Sequence, residues 1–253
     1  MTPFSFQLYS ARNTASLDEV FALLAASGYQ QVEGYGGLYD NLDTLQTLME
    51  KYGLTMPTGH FDLAMLEHNL PRALYIAKVL GMHTIICPYI LEQDRPSDFS
   101  GWFAFGQRLE AVCQQVNTAG FEFGWHNHDF EFAAFEDGRL PMTALLEGAP
   151  SILWEMDVAW VAKGECNPVD WLTQYRERIC AVHLKDIAPL GECLNEDGWA
   201  DFTQGILPWA EYWVAVRQTP ARTFVMEHDN PSDVSRFARR SIDGATLIVG
   251  ATA

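Results

Sequence analysis

Eight short apolar runs, each followed by a longer segment with helical periodicity, restrict what this chain can fold into. The runs cover residues 4–10, 30–35, 54–60, 84–90, 121–128, 152–158, 179–186 and 223–229. Most are apolar almost throughout instead of alternating, as expected of parallel strands covered on both faces. Between them lie segments with start and stop signals. In residues 16–28, Ser16 can cap, Glu19 follows three positions later and Gly28 can end the helix. Residues 41–53 and 69–81 repeat the form, each closing on glycine before the next run. Eight such units in 253 residues predict a single-domain α/β protein, a (β/α)8 TIM barrel spanning residues 1–253. An open doubly wound sheet would be expected to carry a glycine-rich phosphate turn, and the segment Glu33–Gly37 is a poor match to one.

Each run begins apolar and ends polar. A barrel brings all of these ends to one face, so Glu33, His60, His126, His128, Glu131, Asp157, His183, Lys185, Glu227 and His228 are expected to converge although scattered in sequence. Asp157, His183 and Glu227 form the sharpest set. Carboxylates with an imidazole and no thiolate suit one divalent ion, Mn, Mg, Co or Zn. Plainer readings exist: Asp157 as a helix cap, His183 as a hydrogen-bonded core histidine. Glu227 resists one, because a carboxylate set behind Phe224, Val225 and Met226 needs a charged partner if buried.

The formal charge of −17 argues against nucleic acid or an anionic membrane as partner. No apolar run is long enough to span a bilayer, and five cysteines without a CxxC pair suggest a reducing compartment, so a cytoplasmic location is expected. Trp160 and other aromatic residues near the run ends suit stacking on a sugar, though packing is the ordinary role of such rings. Few basic residues (Arg12, Lys163 and Lys185) stand near the expected mouth, which favours a neutral small-molecule sugar over a sugar phosphate.

The chain resembles the sugar phosphate isomerase/epimerase superfamily, the xylose isomerase-like TIM barrels, over nearly its whole length. The matching pieces are QLYSAR, GHFDL, HNHDFEF, WEMDVAWVAKGECNP, VHLKD, DGWADFTQGILPW and MEHD, in that order. The resemblance implies one divalent ion held from the fifth to eighth strands. Three of its ligands fall on Asp157, His183 and Glu227. The fifth strand departs, with Gly124 and Trp125 where many members have a glutamate. Glu131 is the expected substitute, with His126 the other candidate. The implied chemistry is isomerisation or epimerisation of a hydroxy-carbonyl sugar through an enediolate. Glu227 would be ligand and base, Glu131 its counterpart, and Lys185 a third catalytic group. His60, His128, Trp160 and Glu33 would contact substrate. A dehydratase or keto-glycoside eliminase starts from the same proton abstraction and is the alternative, followed by a sugar-binding protein without chemistry. A nuclease is disfavoured by the acidic charge. Such barrels often pair as homo-oligomers, but no residue here marks an interface. The loop over residues 187–205 is expected to be irregular and to cover the site.

Overall fold

A computed structural model of the chain describes residues 3–251. Eight parallel strands close into a barrel: β1 (Phe4–Gln7), β2 (Gln31–Gly34), β3 (Thr55–His60), β4 (Thr84–Cys87), β5 (Glu122–His126), β6 (Leu153–Asp157), β7 (Ile179–Leu184) and, last in the chain, β10 (Thr223–Met226). β10 pairs with both β7 and β1, which closes the ring. The (β/α)8 TIM barrel expected from the sequence is therefore the fold. The strands stop short of the apolar runs. The run at 84–90 ends as a strand at Cys87 because Pro88 has no backbone N–H for the ladder.

The helical segments start and stop where their side chains dictate. Ser16 Oγ accepts the Glu19 N–H at the start of α1 (Leu17–Ser27), and Asn41 Oδ1 accepts that of Thr44 at the start of α2 (Leu42–Tyr52). α3 (Leu63–His68) is a short addition after β3, capped by Asp62, and it precedes α4 (Leu70–Leu80). The longest helix, α5 (Phe99–Thr118), packs on α6 (Pro141–Gly148). α7 (Val158–Lys163) and α8 (Pro168–Gln174) follow β6.

Residues 187–205 are less irregular than the sequence suggests. Their ends form a two-stranded antiparallel ribbon, β8 (Asp186–Ile187) with β9 (Trp199–Ala200). The Asp186 carboxylate accepts the backbone N–H groups of Ile187, Gly205 and Leu207, which ties both ends of the loop together. Arg236, on α10 (Val234–Ala251), bonds Glu196 and Asp201 and pins the loop from outside. Trp209, which opens α9 (Trp209–Val216), donates its indole N–H to the Lys185 carbonyl. Among the described residues no helix is long and apolar enough to cross a membrane, and the five cysteines are free.

Candidate metal centre

Successive residues on a strand point to opposite faces, and in a barrel one of those faces is the interior. On β6, Trp154 turns outward and packs on Trp171 and Tyr175. Glu155 and Asp157, two apart, both turn inward. On β5, Trp125 packs outward on Phe105, so His126 turns inward. The register sets His126 beside Glu155, and Asp157 beside His183.

Two sets of side chains result, sharing His183. In the outer set, one ligand atom each from His126, Asp157, His183 and Glu227 lies within 4.8 Å of every other. His183 Nδ1 is 2.9 Å from Glu227 Oε2 and 4.0 Å from Asp157 Oδ2, and His126 Nε2 is 3.8 Å from that same Asp157 oxygen. In the inner set, Glu33, His60, Glu155 and His183 meet in direct hydrogen bonds. His60 Nε2 is 2.6 Å from Glu155 Oε2, and His183 Nε2 is 2.8 Å from Glu33 Oε1.

Partner counts separate the two sets. Asp157 Oδ1 caps α7 by accepting the Trp160 N–H, but its Oδ2 is buried without a hydrogen bond. Both ring nitrogens of His126 are likewise buried without a hydrogen bond, on a residue only 2% exposed. Leaving such a group unpaired costs about 1–3 kcal/mol, and here His126 Nε2 and Asp157 Oδ2 stand 3.8 Å apart with no hydrogen bond to either. The residues therefore fit a divalent cation at the outer set.

Charge points the same way. Five carboxylates, those of Glu33, Glu155, Asp157, Glu227 and Asp229, crowd this end of the barrel. Lys185 is the fixed cation among them, 2.8 Å from Asp229, 3.4 Å from Glu227 and 3.6 Å from Asp157. Burial works against its charge, but the three carboxylates outweigh it and raise the pKa. Lys185 is thus held as an ammonium. Burial also opposes the charge of Glu227, yet Lys185 and His183 hold that carboxyl well below its ordinary range. His60 is pushed up to about 10, because Glu33 and Glu155 override the effect of burial. His128, buried and close to His126 and Lys185, is driven down and stays neutral.

A cavity of about 900 Å³ opens onto the outer set. His60, His126, His128, Trp160, Glu227 and Asp229 line its inner end, and Tyr9, Tyr35, Tyr89 and Leu91 line its mouth. Arg12 is there too, but its guanidinium lies on the Tyr9 ring and donates to the carbonyls of Tyr9 and Asp229.

No protein-family model matches the sequence, and no curated protein does. Solved structures do. One is a sugar phosphate isomerase/epimerase from Parabacteroides distasonis, at 18% identity and a TM-score of 0.79, with 98% of this chain and 93% of that one covered. The chain shares the barrel fold of that structure. Two other barrels of this fold differ in what they are described as. The probable 3-DHS dehydratase AsbF from Bacillus anthracis is 14% identical, with a TM-score of 0.77 over 97% of this chain and 99% of that one. The IolI protein, solved with a bound zinc atom, is 12% identical, with a TM-score of 0.75 over 98% of this chain and 96% of that one.

Within this barrel, two of the expected site residues stand away from the outer set and the cavity. Glu131 is not in the outer set. It sits in a 3-10 turn past β5, where its carboxylate accepts the Trp125 indole N–H at 3.0 Å and the His128 backbone N–H at 2.9 Å. Trp125 faces outward from the barrel, and Glu131 follows it. Burial pushes the Glu131 pKa up to about 8, against those two hydrogen bonds. Its carboxylate clamps the turn that carries His128, and the fifth-strand residue in the outer set is His126. Glu33 was expected to touch substrate, but it does not line the cavity. Its carboxylate lies beneath, bonded by Gln7, Thr58 and His183.

Two functional candidates escaped the sequence reading. Glu155 stands two residues before Asp157, and the period of two on a strand would have found it. Asp229 stands two past Glu227 and lines the cavity. His126→Ala is expected to lower affinity for a divalent ion by at least tenfold, whereas Glu131→Ala leaves it within about threefold. Calorimetric titration with Mn²⁺ or Zn²⁺ measures both; the reverse order would put Glu131 back in the set.

Proposed function

We propose that the chain is a divalent-metal-dependent isomerase or epimerase of a neutral hydroxy-carbonyl sugar. The observation that carries this reading is the grouping of an unpartnered His126 nitrogen and Asp157 Oδ2 with His183 and Glu227, of which His126 and Glu227 line a sugar-sized or larger cavity. His126, Asp157, His183 and Glu227 would hold the ion. When bound, it would act as a Lewis acid toward the carbonyl and neighbouring hydroxyl oxygens of the sugar.

The chain's own groups account for the proton chemistry. Glu227 is ionised and borders the cavity, so it can take the proton from the carbon beside the carbonyl. Negative charge then develops on oxygen. The Lys185 ammonium does not line the cavity but lies 3.4 Å from Glu227, so it adds a positive field toward that charge from behind the wall without giving up its proton. Neutral His128 and Trp160, whose rings stand 5.3 Å apart on the cavity wall, offer a hydrogen-bonding and a stacking surface to the sugar. With Glu131 turned away, the cavity carboxyl next to Glu227 is Asp229, and it is the candidate to return a proton.

Elimination is the second reading. Asp229 next to the base supports it, because a carboxyl there can protonate a departing hydroxyl or glycosyl oxygen. Incubating the protein with ketoses and 3-keto-glycosides in D₂O, with Mn²⁺ or Zn²⁺, tests both. Deuterium in recovered sugar supports isomerisation, and an unsaturated product supports elimination. No exchange with any sugar that the cavity binds would contradict the proposal and favour a binding protein.

A further inference from the structure

The inner set also brings one ligand atom from each of its four residues within 4.8 Å of the others, but its direct hydrogen bonds suggest another task. We propose that Glu33 and Glu155 fix the tautomer of His183 from inside the barrel, so that its Nδ1 is presented to the ion. This rests on the outer set being the metal site.

The imidazole of His183 faces both ways. Nε2 is 2.8 Å from Glu33 Oε1 and 3.2 Å from Glu155 Oε2, whereas Nδ1 faces Glu227 and Asp157. Glu33 Oε1 already accepts an N–H of Gln7 and Oε2 accepts the Thr58 hydroxyl, so Glu33 meets Nε2 as an acceptor. Nε2 must therefore carry hydrogen. Nδ1, 2.9 Å from Glu227 Oε2, is the nitrogen directed at the outer set, and a ring that keeps its Nε2 hydrogen can ligate an ion only by giving up the Nδ1 proton and presenting that lone pair.

The clamp is itself anchored. Gln7, at the end of β1, donates to Glu33 Oε1 at 2.7 Å, and Thr58 on β3 donates to Glu33 Oε2. Glu155 is held by His60 at 2.6 Å, and the His60 ring lies parallel to that of His183, at 7° and 5.5 Å between centroids. Every ring nitrogen and carboxylate oxygen of the inner set has a partner except Glu155 Oε1. An ion lodged there would have to displace these hydrogen bonds and take the Nε2 proton. The outer set offers open atoms instead. Carboxylates that orient a metal-binding histidine typically contribute 10–100-fold to metal affinity. Glu33 and Glu155 are positioning residues of this kind.

Zn²⁺ titration of ¹⁵N-histidine-labelled protein, followed by long-range ¹H–¹⁵N correlation and calorimetry, tests the proposal. The Zn²⁺-loaded wild type is expected to bind one ion and show His183 protonated on Nε2 and ligated through Nδ1. Glu33→Gln is expected to bind Zn²⁺ about 10–100-fold more weakly. The tautomer of the wild type needs no variant, so a Glu33→Gln protein that fails to fold does not remove the test. Ligation through Nε2, or a second Zn²⁺ lost on Glu33→Gln, would overturn the proposal. So would Glu33→Gln affinity equal to wild type, while Asp157→Ala alone abolishes binding. Wild type that binds no Zn²⁺ would overturn the metal reading itself, and this inference with it.

Discussion

Glu227→Gln is expected to slow solvent exchange of the substrate α-proton by about 10²–10⁴-fold, the usual contribution of a positioned general base. The carboxylate is 6% exposed and borders the cavity, so a glutamine fits the same space without steric change. Its neutral amide cannot take a proton, and it also weakens one corner of the outer set. The two effects can be told apart. Loss of a ligand appears as weaker metal binding that excess ion restores. Loss of the base does not respond to added ion. Exchange followed by NMR in D₂O at saturating Mn²⁺ or Zn²⁺ therefore isolates the base. Exchange retained within threefold would assign the proton to another group, with Asp229 the first to test.

Lys185→Met is expected to destabilise the fold by about 3–5 kcal/mol, the usual consequence of removing one partner from a buried charge pair. The side chain is fully buried and faces Asp157, Glu227 and Asp229. Methionine keeps most of its volume but leaves three carboxylates facing one another. The urea midpoint is expected to drop by roughly 1 M or more. A divalent ion should recover part of that loss by neutralising Asp157 and Glu227. Lys163→Met is the control. Lys163 is exposed, lies over the rings of Trp160 and Trp199, and its loss should cost about 0.5–1 kcal/mol. Equal midpoints for the two variants would mean that Lys185 does not balance the carboxylate cluster.

The barrel was legible because its signals are local. Apolar runs, Ser16 and Asn41 at helix starts, and glycines at helix ends are each read within a few residues. Asp157, His183 and Glu227 could be placed at one end of the barrel because each lies at or near the polar end of an apolar run. The fifth strand was harder. Glu131 is close in sequence to the expected ligand position, but five residues past His126 the chain has left the strand and the period of two no longer applies. The turn aims its carboxylate at Trp125, on the opposite face from His126. Glu33 misled for another reason. It stands one residue before the end of β2, and in a tilted barrel some strand ends lie deeper than others. The depth of Glu33 beneath the cavity depends on partners from β1, β3 and β7, which no single stretch of sequence displays.

The central claim is that His126, Asp157, His183 and Glu227 hold one divalent ion. Elemental mass spectrometry of the purified protein, alone and after incubation with Mn²⁺, Co²⁺ or Zn²⁺ and removal of excess, tests it most directly. The expected result is about one ion per chain, lost in Asp157→Ala. No retained ion in the wild type, or an ion that Asp157→Ala keeps, would contradict it.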